Sequence, residues 1–182
     1  MFKAIGLLEF NSIAQGVNAA DVMLKAGEVE LVTAMTVCPG KYVALVGGDV
    51  AAVENAVKQG IQSDEGSVVE SLVIPNVHPN VFPAITCTSK VDHIAALGVI
   101  ETFSIANCIV VADAAVKAAE VILMELRMGM GIGGKAFVSM TGEVAEVEHA
   151  VKIGTEIAVE KGWLTKSVVI PSPHQLLREK ML

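Results

Sequence analysis

The sequence predicts an α/β protein built from two tandem domains. Three observations predict it. The chain repeats itself, each repeat orders its strand-like and helix-like segments the same way, and the composition supplies apolar residues for two cores. Ala4-Ile5-Gly6-Leu7-Leu8-Glu9 returns as Ala96-Leu97-Gly98-Val99-Ile100-Glu101. At that offset of 92, 13 of the 29 positions from Ala4 to Val32 are identical. Gly40 to Gly60 returns from Gly134 at an offset of 94, with 11 of 21 positions identical. The 182 residues divide into domains at 1–90 and 91–182, each of about 90 residues, a size one core can stabilise. Hydrophobic residues make up 53% of the chain and aromatics only 4%, so the cores are aliphatic.

The elements follow in order. Residues 3–10 read as a strand. Ser12 is placed to cap a helix running to Ala26, with Asn18, Asp21 and Lys25 on its polar side and Asp21–Lys25 as an i,i+4 pair. Residues 28–37 and 41–47 read as strands joined by the tight connection Cys38-Pro39-Gly40, whose Pro and Gly are turn residues. Asp49 is placed to cap a helix over 50–62, where Val50, Val53, Ala56, Val57 and Ile61 keep helical spacing. Residues 67–74 form the fourth strand, stopped by Pro75. The second repeat copies this with strands at 94–102, 120–128, 135–141 and 164–170, and helices at 104–118 and 143–161. Between the repeats, residues 76–93 read as a stiff, extended connector.

Composition excludes several functions. The net charge is −7 and no basic stripe is present, which excludes nucleic acid as a partner. Mean hydropathy is high at +0.59, yet no segment approaches the ~18 apolar residues of a membrane span. The excess apolar surface is therefore expected in oligomer contacts. The first residues lack the regions of a signal peptide, so a cytosolic protein is expected. Three cysteines, an odd number, argue against a disulfide framework.

The change of offset marks a two-residue insertion in the turn between second and third strands. That turn holds Cys38 in one repeat and Gly129-Met130-Gly131-Ile132-Gly133-Gly134 in the other. The glycine run matches G-x-G-x-x-G, but a dinucleotide site needs that loop to open a helix, and a strand-like run follows it. Cys38 is the candidate metal and cofactor residue. One cysteine builds no metal site alone, but three chains meeting with this turn on their axis would bring three thiolates together. A cubane [4Fe–4S] cluster has such an axis and leaves its fourth iron to another ligand. A single zinc with three thiolates and a water is the other arrangement. Cys87 and Cys108 read as buried small hydrophobes. His78 and His174 recur after Ile-Pro without companion ligands and read as packing or interface residues. Glu9 and Glu101 recur late in the first strand and read as partners of backbone or neighbouring groups. No nucleophile with a base and no paired carboxylates are visible, so no catalytic residue is assigned.

Together these segments resemble the bacterial microcompartment shell family in its tandem-domain form. The marks are the two Ala-x-Gly-x-x-Glu strands, Ala19–Ala26 against Val111–Ala118, Gly48–Val53, and the two Val-Ile-Pro-x-x-His endings. The resemblance implies two shell domains, each an antiparallel four-stranded sheet with flanking helices. It also implies a pseudohexameric homotrimer that tiles into a shell within the cytoplasm, alongside other shell proteins, with the second-to-third strand turns around a central pore. Cys38 is similar to the pore-turn cysteine of the family's iron–sulfur trimers from propanediol-utilisation shells. That implies a [4Fe–4S] cluster shared by three chains, with one Cys38 from each, and electron exchange with lumenal or cytosolic redox enzymes or delivery of the cluster. Lys25 and Lys117 match the family's tile-edge lysine. Asn76 and Ser172 replace the usual arginine, and Glu28 and Glu120 the usual asparagine, so the edge contacts are altered. The competing expectations are a shell trimer acting as a metabolite pore without a cluster, and an unrelated α/β ligand-binding protein or enzyme.

Overall fold

The computed structural model describes residues 2–181. The chain forms two compact units. One runs up to Pro79 and also takes in Gly129–Gly134; the other holds Asn80–Met128 and the residues from Lys135 onward.

Unit 1 contains β1 (Ala4–Phe10), α1 (Ile13–Ala26), β2 (Val29–Val37), β3 (Lys41–Gly48), α2 (Val50–Ser63) and β4 (Val68–Pro75). Its sheet has the order β2-β3-β1-β4 and every pairing is antiparallel. The most continuous apolar run, Ala-Ile-Gly-Leu-Leu-Glu-Phe, becomes the central β1 and is buried along its whole length. The strands that carry Glu30, Thr33 and Glu70 lie at the edges, where polar side chains reach water. Leu8, Phe10, Met23, Val46, Val53 and Val57 form the core under the two helices.

Unit 2 repeats this with β5 (Ala96–Thr102), α4 (Ile105–Ala118), β6 (Ile122–Met128), β7 (Ala136–Gly142), α5 (Val144–Glu160) and β8 (Leu164–Ile170), in the sheet order β6-β7-β5-β8. Even the irregularities recur. The β1–β4 register slips after Glu9 and the β5–β8 register after Glu101. Gly6 and Gly98 are kept for a shared reason. A Cβ on Gly6 would lie 2.6 Å from Val57, and one on Gly98 2.7 Å from Val151, so only glycine lets the second helix of each unit sit this close to its central strand.

One matched helix–strand pair differs in size between the repeats. Gly16 on α1 faces Tyr42 on β3, whose Cβ would be 2.6 Å from a Cβ on residue 16. At the matching positions of unit 2 stand Cys108 on α4 and Ala136 on β7, both fully buried. A glycine under a large strand residue has been exchanged for a larger helix residue under a small one.

Several expectations needed correction. Ser12 caps its helix as expected, accepting from the Gln15 amide, and Ser104 does the same in unit 2, accepting from the Asn107 amide. Asp49 stands at the N-cap of α2, but its side chain makes no cap; its carboxylate pairs with Lys3 at 3.0 Å instead. The connector is not wholly extended, because residues Val81–Ile85 form a short helix, α3. Pro83 is tolerated there since it lies in the first turn, where its missing N–H has no intrahelical partner. A last helix, α6 (Gln175–Met181), follows the final strand.

Candidate functional site

The site is built at one end of the unit 1 sheet, where β2 runs into β3. Val37 is the last residue of β2 and Lys41 the first of β3, and Cys38, Pro39 and Gly40 make the turn between them. The Cys38–Pro39 peptide is cis and Gly40 closes the turn at φ +73°. Pro39 and Gly40 are exposed, whereas Cys38 is partly buried and its thiol free.

Below the turn sits an ion pair. Lys41 Nζ lies 2.5 Å from Glu9 Oε1, and the Glu9 side chain is almost wholly enclosed. In unit 2 the matching Lys135 Nζ lies 2.5 Å from Glu101 Oε1. Glu9 and Glu101 thus satisfy neighbouring groups as expected, and the neighbours are the lysines that begin β3 and β7. Both members recur in the sequence, as Gly40-Lys41 and Gly134-Lys135, so the pairing left a signal there. It was missed because the strand register that brings the first strand's Glu beside the third strand's Lys is visible only in the fold.

The glycine run Gly129–Gly134 is the hairpin loop leading to β7, so it opens a strand and not a helix. It packs against the Cys38 turn. The Cys38 N–H donates to the Gly129 carbonyl at 2.9 Å, and a Cβ on Gly134 would lie 3.0 Å from the Cys38 carbonyl oxygen. Met130 in this loop is exposed.

The three cysteines have separate fates. Cys108 is fully buried as expected; burial pushes its thiol up from 9.0 to about 12, against a smaller opposing effect from its hydrogen bond with Thr102. A thiol held neutral is a poor metal ligand. Cys87 was expected inside and is exposed, at φ +54°. The reason is α3: Cys87 is the left-handed residue after the helix, and the Thr88 N–H bonds back to the Pro83 carbonyl at 2.8 Å, as in a Schellman stop. Cys87 borders a crevice of about 250 Å³ with Glu125 and Arg127, and these two are bound to each other at 2.5 Å. The acid beside that thiol is therefore committed elsewhere. Among the described residues, no three His, Cys, Asp or Glu side chains converge within the chain.

The other recurring residues take structural parts. The His174 carbonyl accepts from the Leu177 amide, and its Nδ1 accepts from the Leu176 amide at 3.2 Å, so His174 starts α6. Lys25 and Lys117 end the first helix of each unit, paired with Asp21 and Asp113 at 2.6 Å. Asn76 takes φ +53°, a conformation Asn tolerates better than most residues.

Comparison with known proteins agrees with this architecture. The BMC domain family profile matches residues 4–77 and again 96–173. The chain is 45% identical over its whole length to the bacterial microcompartment shell protein PduT of Citrobacter freundii, covering 99% of that protein. It is 32% identical to the carboxysome assembly protein CcmO of a Synechocystis strain, over 93% of this chain and 61% of that one. A crystal structure of a microcompartments protein from Desulfitobacterium hafniense superposes with a TM-score of 0.94 at 53% identity, over 97% of this chain and 98% of that one. The chain belongs to the BMC-domain family, as a tandem-domain shell protein of a bacterial microcompartment.

Proposed function

We propose that this shell protein assembles as a homotrimer with the three Cys38 turns on its axis, where the Cys38 thiolates hold one [4Fe–4S] cluster. The single observation carrying this reading is that only one of the two corresponding turns presents a cysteine, partly open at its tip, so each chain contributes one thiol. Six equal turns would bring six. Cysteine sulfur is the usual ligand of iron–sulfur clusters, and the Cys38 thiol is free and partly open, so the donor fits. When bound, the cluster would supply one-electron chemistry. The protein's own part is to hold the ligands at the centre of a tile and carry electrons between redox partners on the two faces of the shell.

Self-association has separate support. Ile13, Val17 and Leu24 form an apolar stripe on α1 and are 44, 51 and 39% exposed. Their counterparts on α4, Ile105, Ile109 and Val116, are 1, 0 and 6% exposed. A stripe that is apolar in both repeats and covered in only one is suited to a second copy of the chain.

Anaerobic purification followed by iron and sulfide assay and light scattering tests the reading. The expected result is about one cluster per three chains, and its loss in Cys38→Ser without loss of the trimer. An iron-free wild-type trimer, as in a plain metabolite pore, or iron retained in Cys38→Ser, would overturn it.

A further inference from the structure

The two turns of one chain play unequal parts, and we infer that the glycine-rich loop of the second repeat is a clamp on Cys38, with Gly134 as the positioning residue for the thiol. This deepens the reading of Cys38 as a ligand and rests on it. Two contacts carry the inference. The Cys38 amide donates to the Gly129 carbonyl at 2.9 Å, which ties the thiol-bearing residue to the loop through its main chain. Gly134 then closes on the carbonyl side of the same residue. A Cβ there would stand 3.0 Å from the Cys38 carbonyl oxygen and 3.5 Å from Pro39 Cδ. The first is tighter than nearly all Cβ contacts, so a side chain at 134 would push the Cys38 carbonyl aside by a few tenths of an ångström.

The loop supplies its own controls. Gly131 and Gly133 have φ +71° and +68°, close to the +80° of Gly134, and a Cβ on either would meet nothing within 4 Å. Alanine at any of the three therefore imposes a similar backbone strain, but only at 134 does it also press on Cys38. The second repeat has no thiol at this turn and carries a loop that packs on the thiol-bearing residue of the first. A ligand must be held closely in place before metal binds, and a main-chain clamp does this without placing another polar side chain beside the sulfur.

The experiment compares Gly134→Ala with Gly131→Ala and Gly133→Ala in the full chain, using two readouts. One is iron per trimer after anaerobic purification. The other is the rate at which iodoacetamide alkylates Cys38 in iron-free protein, read by peptide mass spectrometry. Gly134→Ala is expected to lower cluster occupancy and to speed alkylation, each by about tenfold, while the two controls stay within about twofold of wild type. Equal behaviour of the three variants in the alkylation readout would overturn the clamp. Iron absent from the wild type would instead sink the cluster reading and leave the alkylation comparison standing. Should Gly134→Ala fail to fold, hydrogen exchange on the wild-type trimer decides: the Cys38 amide is expected to exchange at least about tenfold more slowly than in an unstructured peptide. Exchange at the free-peptide rate would overturn the clamp.

Discussion

The two repeats carry the same sheet order, the same slipped register and the same Glu–Lys pair, yet the turns above those pairs share neither length nor chemistry. The first turn is short and brings a thiol; the second is long, rich in glycine, and gives its carbonyl and its empty space to the first. The difference teaches how duplication divides labour. A shell tile made of identical domains must use one turn for every position around its axis. A chain holding two domains can keep the frame in both and specialise each turn, one carrying the thiol and one packing against it. The frame is held by internal contacts, so the loops are free to diverge.

That comparison can be broken or sharpened by matched substitutions in the two halves. The largest effect is expected on the first helices. Ile109→Asp would bury an unpaired charge and should cost at least about 4 kcal/mol, enough to unfold the chain. Val17→Asp at the matching exposed position should leave the fold stable within about 1 kcal/mol and abolish self-association. Thermal denaturation and light scattering together check the pair, and equal destabilisation by both would end the distinction between covered and free stripes.

Next in size are the paired lysines. Glu9 retains 4% of its side-chain exposure and Glu101 31%. Lys41→Met, which strands a buried carboxylate, should cost about 3 kcal/mol. Lys135→Met should cost about 1 kcal/mol, because water can still reach Glu101. Denaturant midpoints compared at constant slope measure both; a larger loss at Lys135 would reverse the order of burial assigned here.

The smallest effect at neutral pH, where it vanishes, is a pH dependence that arises in the second half. Burial raises the Cys108 thiol from 9.0 to about 12, so its contribution is complete below pH 9 and is lost as pH rises toward 12. Over that window stability should fall by up to about 1.4 kcal/mol per pH unit, and Cys108→Ala should remove this part of the slope. Urea titrations at about pH 8 and about pH 10.5 give the comparison. An unchanged slope in the variant would show that the thiol is not buried as described.

The elements and their repetition were legible because they rest on local pattern: apolar runs for strands, helical spacing for helices, Ser12 and Ser104 as caps. The α3 helix was hidden by its own prolines, which read as an extended connector. Once α3 was missed, Cys87 had no helix to terminate and was assigned to the interior. The Asp49 side chain was assigned to a cap because nothing local discloses that Lys3, distant in sequence, stands beside it. At the site, Cys38 was legible as the residue one half has and the other lacks. The Gly129 carbonyl and the space at Gly134 were not, because a main-chain contact leaves no mark in side-chain chemistry. The glycine run was recognised as a hairpin loop, but what it packs on depends on where the whole chain brings it.

The exchange of Gly16 and Tyr42 for Cys108 and Ala136 bears on how such a chain reaches its native state. Two similar repeats in one polypeptide can mistake each other's strands for their own while folding, and tandem repeats are prone to that error. Here a misplaced β3 would drive Tyr42 against Cys108, and a misplaced β7 would leave a void between Ala136 and Gly16. One mistaken pairing is penalised by crowding and the other by emptiness. The difference in side-chain size between the two repeats therefore favours each strand on its own helix.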